Sequence, residues 1–75
     1  MTTTDAIAEL KALRVREPFA PFVIVLKDGR RLPVNRRMQY AFQDWLGVVL
    51  DERDRISRFK PADIVAIEVA AQVSG

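Results

Sequence analysis

The segment from Phe22 to Val34 constrains the fold more than any other part of the chain. It holds an apolar run, the pair Asp28-Gly29 and a second short apolar segment. An Asp-Gly pair between two such runs predicts a β-hairpin, because both residues tolerate the positive φ angles of a tight type I′ turn. A two-residue loop at this pair directs four aliphatic side chains towards the core: Val23, Val25, Leu32 and Val34.

The length and composition predict one small soluble domain. The 75 residues are expected to form a single domain over 1–75, with residues 1–4 and 71–75 flexible, and 49% of them are hydrophobic. The chain has no Cys and no His, which excludes disulfides and Cys/His zinc sites. No apolar run approaches the roughly 20 residues that span a bilayer, and no signal-peptide pattern is present. We therefore expect a cytoplasmic protein that does not bind membranes.

A short amphipathic helix is predicted before the hairpin. Three apolar side chains recur at helical spacing: Ile7, Leu10 and Leu13. The helix is expected to begin at Thr4 or Asp5, since either side chain caps free backbone N–H groups. Pro18 ends it no later than Glu17, because proline restricts the preceding residue and lacks an N–H. A helix this short needs an apolar surface to dock on.

The second half of the chain predicts further strands. Alternating apolar residues favour a strand within Asn35–Gln43, although a helical turn at Arg36–Gln39 is the alternative, and Pro61–Asp63 predicts a single helical turn. Three more strands are expected: Trp45–Leu50, Arg55–Lys60 and Ile64–Val69. The resulting fold class is mainly β with one N-terminal α-helix. We expect a five-stranded, strongly bent antiparallel sheet or a small barrel, because closure hides strand edges.

Two segments resemble the Sm-like fold, a small barrel related to SH3-type barrels. Val25–Arg30 is similar to the first strand and turn of Sm proteins, and Arg58–Ile67 is similar to the crossing between their last two strands. The resemblance implies a small barrel that assembles through its strand edges. Sm proteins place an Asp and then an Asn after their second strand, whereas this chain has Asn35–Gln39 there, and Lys60–Asp63 stands in place of the Arg-Gly pair of their second motif, so their RNA-base pocket does not carry over.

A second resemblance is to short bacterial proteins without an assigned function. Their pattern is a helix, then Pro-Phe-x-Pro-Phe, then a strand ending in Asp-Gly-Arg. Here Pro18–Phe22 carries the first motif and Asp28-Gly29-Arg30 the second. This resemblance covers about the first half of the chain and implies a fold rather than an activity.

The residue types argue against catalysis. Without His or Cys the chain lacks the commonest general base and the commonest strong nucleophile. Asp51, Glu52 and Asp54 share one charged turn, and their spacing does not match a calcium-binding EF-hand loop. No glycine-rich phosphate loop is present. We predict a protein that is not an enzyme and has no cofactor, metal or evident small-molecule substrate.

A basic segment with aromatic residues nearby predicts binding of RNA or single-stranded DNA as one function. Cations attract phosphates, and exposed rings stack on bases. Seven candidate nucleic-acid contacts follow: Lys27, Arg30, Arg31, Arg36, Arg37, Tyr40 and Trp45. Core packing is the alternative role for the two rings.

Protein interaction is the function that the sequence favours. Trp45–Leu50 and Ile64–Val69 are rich in β-branched residues and thinly charged, so an uncovered edge would pair with another chain. We therefore predict a non-catalytic interaction module that forms a homo-oligomer or acts as an adaptor for another protein. The alternative is nucleic-acid binding through four arginines: Arg30, Arg31, Arg36 and Arg37.

Overall fold

The computed structural model describes residues 1–51 and 53–69 and contains one α-helix followed by six short strands. The elements are α1 (Thr3–Val15), β1 (Phe22–Leu26), β2 (Arg31–Val34), β3 (Tyr40–Phe42), β4 (Gly47–Leu50), β5 (Ile56–Phe59) and β6 (Ile64–Val69). The mainly β fold with one N-terminal helix is confirmed. The segment 71–75, expected to be flexible, lies outside the described residues.

The helix begins earlier than predicted. Thr2 is its N-cap, and the Thr2 hydroxyl accepts a hydrogen bond from the Asp5 backbone N–H at 3.1 Å. Thr3 and Thr4, expected to be flexible, therefore lie in the first turn. The helix ends at Val15, short of Pro18 as predicted.

The strands form two three-stranded antiparallel sheets rather than one five-stranded sheet. The first sheet has the order β2-β1-β6 and the second has the order β3-β4-β5. A helical turn at Arg37–Gln39 separates β2 from β3, so the strand predicted within Asn35–Gln43 is limited to Tyr40–Phe42. The turn at Pro61–Asp63 leads into β6 as predicted.

The β1–β2 hairpin is confirmed, but the two-residue loop is wrong. The Gly29 N–H donates to the Leu26 carbonyl at 2.9 Å, and the Leu26 N–H donates to the Arg30 carbonyl at 3.0 Å. The loop therefore has three residues. Gly29 has a φ of 91°, whereas Asp28 is not among the described residues with positive φ. This excludes a type I′ turn and fits a turn closed by a glycine bulge.

The extra loop residue reverses the two faces of β1. Ile24 pairs with Leu32 and Phe22 pairs with Val34, one position away from the predicted register. A one-residue slip moves every side chain of a strand to the opposite face. Phe22, Ile24 and Leu26 are therefore buried, and Val23 and Val25, predicted to be core residues, are half-buried on the outward face.

The core lies between the two sheets and under the helix. α1 packs against β6 and the Pro61–Asp63 turn. The buried cluster consists of Ala6, Leu10, Leu13, Phe22, Ile24, Leu26, Leu32, Val34, Tyr40, Val49, Phe59 and Ile64. Removing these side chains from water is the main favourable contribution to folding.

An ion pair covers the outward face of the first sheet. Arg31 on β2 lies opposite Val25, and Glu68 on β6 lies opposite Val23. Arg31 and Glu68 form a salt bridge with each other. Because their strands flank β1, the two side chains reach across its outward valines. The long arginine stem shields apolar surface while its charge stays in water.

Gly47 provides a test of core packing. A Cβ atom at this position would lie 2.1 Å from Cζ of Phe59, on the neighbouring strand. We expect Gly47→Ala to lower the free energy of unfolding by about 1–3 kcal/mol, measured by urea denaturation, because the ring must move. Combining it with Phe59→Leu should make the total loss smaller than the sum of the two single losses.

Gly29→Ala is the matched control. A Cβ at Gly29 meets nothing within 4 Å, so its cost comes from the φ of 91° alone. The expected loss is roughly 1–2 kcal/mol, and it should add to that of Phe59→Leu. Additive losses for Gly47→Ala with Phe59→Leu would contradict the close approach of the ring.

A candidate interaction surface on the second sheet

The outward face of the second sheet is apolar and exposed. Gly47 and Val49 of β4 point inward and are buried, so Val48 and Leu50 point outward. The strand register adds the remaining outward residues: Ala41, Ile56 and Arg58. Ile56 is 65% exposed and Leu50 is 38% exposed. Among these outward strand residues, Arg58 is the one that carries a charge.

Two large apolar side chains extend this face at its ends. Met38, in the helical turn before β3, is 88% exposed and lines a groove with Leu50 and Ile56. Trp45, between β3 and β4, is 69% exposed and lines a second groove with Ala41 and Val48. We call the combined surface the apolar face, formed by Met38, Ala41, Trp45, Val48, Leu50 and Ile56. Unlike the first sheet, it has no ion pair across it among the described residues.

Gln39 holds the turn that presents Met38. Its side-chain oxygen accepts hydrogen bonds from the backbone N–H groups of Asn35 and Arg36, at 2.8 and 3.1 Å. Its side-chain nitrogen donates to the Leu50 carbonyl at 2.5 Å. Gln39 thereby ties the turn to the end of β4. A cleft of about 500 Å³ beside it is lined by Asn35, Arg36, Met38, Gln39, Leu50, Asp51 and Asp54.

The edge of this sheet at β5 has unpaired backbone groups. The Asp51 N–H donates to the Arg55 carbonyl at 2.9 Å, which makes these two residues a hydrogen-bonded pair. Hydrogen-bonded pairs alternate along an antiparallel ladder, so Ser57 and Phe59 also bond to β4. The N–H and C=O groups of Ile56 and Arg58 consequently point away from β4. No strand pairs with β5 on that side within the described part of the chain.

The prediction that Trp45–Leu50 is an exposed edge is wrong. β4 occupies the centre of the second sheet and pairs with both β3 and β5. Its backbone groups are therefore satisfied on both sides, and β5 takes the edge position instead. β6 is an edge of the first sheet in the described residues, with α1 packed against it.

Asp51 organises the loop that leads into β5. Its carboxylate accepts hydrogen bonds from the backbone N–H groups of Arg53 at 2.9 Å and Arg55 at 2.8 Å, and from the Arg55 guanidinium at 3.3 Å. These donors, the Arg55 backbone N–H first, hold the pKa of Asp51 below its ordinary value. The carboxylate therefore fixes the conformation of the chain just before the edge strand.

Asp54 occupies the left-handed position of this loop. Its φ is 61°, and its N–H donates to the Asp51 carbonyl at 3.0 Å. Gly29 has the same role in the first hairpin. Aspartate tolerates this conformation better than most residues. The Asp54 side chain is exposed and forms no ion pair with any described residue.

Most of the predicted nucleic-acid contacts are engaged by neighbouring acidic groups. Four salt bridges occupy four of the five cations: Lys27–Asp63 at 3.2 Å, Arg30–Asp28 at 3.0 Å, Arg31–Glu68, and Arg37–Glu17 at 2.6 Å. Arg37 also lies over the Phe19 ring and donates to the Arg16 carbonyl at 2.8 Å. Arg36 has no ion pair among the described residues. The candidates therefore lie in separate small pairs, and nucleic-acid binding through them stays a prediction.

The two predicted aromatic contacts differ in exposure. Tyr40 is 3% exposed, its hydroxyl donates to the Leu10 carbonyl at 2.9 Å, and Arg14 lies over its ring. Burial raises the pKa of Tyr40. A ring enclosed in this way is not available for stacking on a base, so the core alternative applies to Tyr40. Trp45 is exposed and belongs to the apolar face.

Sequence reasoning missed Met38, Leu50, Ile56 and Arg58 as surface candidates. The alternation of these side chains along their strands is visible in the sequence. What the sequence does not show is which strand lies in the centre of the sheet and which lies at its edge. The exposed face could be identified only after the strands were paired.

Comparisons with known proteins found no match to this chain among protein-family models, curated proteins or solved structures. Over residues 1–51 and 53–69, no helix has the length and apolar character needed to cross a membrane. In the same residues, no three acidic side chains are grouped so that they could hold a metal ion.

The lowered pKa of Asp51 predicts that the stabilisation from the β4–β5 loop is lost in acid. Because the pKa of Asp51 is lower in the folded protein, its contribution to stability is present above the ordinary value of 3.8 and is lost as the pH falls through the lowered value. Asp51→Asn should reduce stability at neutral pH and flatten its decline below about pH 4, in urea titrations across this range. Asp44→Asn, at an exposed carboxylate on another turn, is the control. Parallel pH profiles for wild type and Asp51→Asn would contradict this role.

Proposed function

We propose that the protein is a small, non-catalytic interaction module that self-associates by pairing β5 of one copy with β5 of another. The observation that carries the proposal is the open edge of β5. The backbone groups of Ile56 and Arg58 point away from their own sheet, and Ile56 is 65% exposed beside them. An edge of this kind is a template for another strand.

Strand pairing gives a modest stabilisation. Each backbone hydrogen bond contributes about 0.5–1.5 kcal/mol net, while association itself costs an estimated 4–15 kcal/mol. The hydrogen bonds of a four-residue strand do not by themselves offset this cost, so a dimer also requires the burial of exposed apolar side chains such as Ile56, and we expect it to be weak and concentration-dependent. Pairing also places the apolar faces of the two copies side by side on one continuous sheet, which is the surface an adaptor would offer to another protein.

The other edges favour β5 as the pairing strand. β2 contains Pro33, which has no N–H to donate and is typical of a protected edge. β3 has only three residues, and α1 packs against β6. Strand β5 is therefore the edge with the least protection in the described part of the chain.

We further propose that the two sheets are the halves of a small Sm-like barrel. The sheet orders β2-β1-β6 and β3-β4-β5 support this, because β2 and β3 follow each other with only Asn35–Gln39 between them. In such a barrel, β2 and β3 with the helical turn between them carry the chain from one sheet to the other. The common core between the sheets is further support.

Binding of RNA or single-stranded DNA is the weaker alternative. Three of its four arginines, Arg30, Arg31 and Arg37, pair with carboxylates, which lowers the local positive potential that attracts phosphates. If it were the main function, a labelled single-stranded oligonucleotide would bind at low salt and dissociate steeply as salt rises.

The β5 edge is tested by proline substitutions. Arg58→Pro removes an N–H that points away from β4, so it should block pairing between copies while the domain stays folded. Sedimentation velocity over a concentration series should show the wild type forming dimers as the concentration rises and Arg58→Pro remaining monomeric. Circular dichroism should be similar for both proteins.

Two matched variants separate the loss of the outward Arg58 N–H from the loss of the Arg58 charge and from unfolding of the domain. Arg58→Thr removes the same charge but keeps the N–H, and it should still dimerise. Ser57→Pro removes an N–H that bonds to β4, and it should unfold or strongly destabilise the domain. Dimers of Arg58→Pro as stable as those of the wild type, or a wild type that is monomeric at all concentrations, would refute the proposed assembly.

A further inference from the structure

We infer that the paired β5 strands are centred on Ser57, with Asp54 of each copy near Lys60 of the other. This inference rests on the proposed self-association and specifies its register. It makes the interface isologous, meaning that both copies use the same residues around a two-fold axis.

The open backbone groups limit the registers that antiparallel β5 strands can adopt. Only Ile56 and Arg58 of the strand present their N–H and C=O groups at the edge. Ile56 must therefore lie opposite Ile56 or Arg58 of the second copy, or Arg58 must lie opposite Arg58. The last arrangement places like charges directly opposite each other and is disfavoured.

Backbone geometry decides between the two remaining registers. Ile56 opposite Arg58 forms two hydrogen-bonded pairs, about four hydrogen bonds, from residues inside β5. Ile56 opposite Ile56 forms one such pair within the strand, and a second pair would require Asp54. Asp54 has a φ of 61° and is not extended, so it does not continue the ladder. The register of Ile56 with Arg58 is therefore favoured, and its two-fold axis passes through Ser57.

The charges beyond the strand complement this register. Asp54 and Lys60 lie three residues on either side of Ser57 and carry opposite charges. Both are exposed, and neither forms an ion pair with any described residue of its own chain. A two-fold axis at Ser57 places Asp54 of each copy beside Lys60 of the other, which gives two equivalent ion pairs.

The side-chain directions agree with this arrangement. Asp54 lines the cleft together with Met38 and Leu50, which places it next to the outward side of the sheet. Lys60 has an extended backbone, with φ −101° and ψ 127°, and it continues the alternation of Ile56 and Arg58 on that side. Arg58 then lies beside Ile56 of the second copy, where its stem covers apolar surface.

Charge exchange between copies tests the register. Asp54→Lys and Lys60→Asp should each raise the dimer dissociation constant roughly tenfold, because each variant replaces two attractions with two repulsions. A mixture of the two variants should restore the wild-type dissociation constant, since the lysine introduced in one copy then faces the aspartate introduced in the other. Fluorescence energy transfer between differently labelled variants measures the mixed dimer, and Asp54→Asn, which keeps the left-handed preference, should have a smaller effect.

The possible results distinguish an incorrect register from a lack of self-association. A wild type that is monomeric at every concentration refutes the proposed function and, with it, this inference. A wild-type dimer with no preference for the mixture of Asp54→Lys and Lys60→Asp refutes the register alone. Preferential pairing of Asp54→Lys with Arg58→Asp also overturns it, because that result places the two-fold axis at Ile56. Circular dichroism of each variant confirms that the monomers remain folded.

Discussion

The hydrogen bonds that close the loop after β1 hold the strand register on which the core depends. Gly29 adopts a left-handed conformation, donates to the Leu26 carbonyl and adds one residue to the turn. That single residue decides that Phe22, Ile24 and Leu26 point inward. With a two-residue loop, the helix and the second sheet would meet valines in place of a phenylalanine and two larger aliphatic residues.

The same turn geometry recurs in the β4–β5 loop, just before the edge strand of the second sheet. Asp54 takes the left-handed position, and the Asp51 carboxylate binds backbone N–H groups across the loop. The two hairpins thus have different residues, Gly29 and Asp54, at the same left-handed position of the loop. Glycine gives the first hairpin only its conformation, whereas aspartate gives the second a conformation and a charge beside an open strand. This difference connects the folding of the β4–β5 loop to the proposed interaction.

The outward faces of the two sheets differ, and this difference supports the proposed function beside the open edge of β5. A cross-strand ion pair, Arg31 with Glu68, covers the valines of β1. The apolar face of the second sheet has no equivalent cover in the described residues, and its edge strand has free backbone groups. The cations predicted to bind nucleic acid are largely engaged in such local pairs. The exposed surface beside this edge strand is therefore mainly apolar.

Features that depend on neighbouring residues were predictable from the chain. Pro18 limits the end of the helix, Asp28-Gly29 marks the hairpin, and Pro61–Asp63 forms the expected turn, because each is decided within a few residues. The prediction of the hairpin loop was wrong even though it concerns neighbouring residues. Asp-Gly is compatible with loops of two or three residues, and the number of loop residues decides the strand register. The helical turn at Arg37–Gln39 was only the alternative to the predicted strand, because the apolar residues there also alternate with the period of a strand.

The sequence by itself determined a small, mainly β domain with one N-terminal helix and a β-hairpin, because local backbone preferences and hydrophobic periodicity are properties of short segments. Only the tertiary structure decided that Tyr40 is buried while Trp45 is exposed, and that β4 lies in the centre while β5 lies at the edge. These outcomes depend on contacts between residues far apart in the chain, such as the bond from Tyr40 to the Leu10 carbonyl. An aromatic ring or a β-branched strand has the same local preferences in either environment, so its surroundings decide its role.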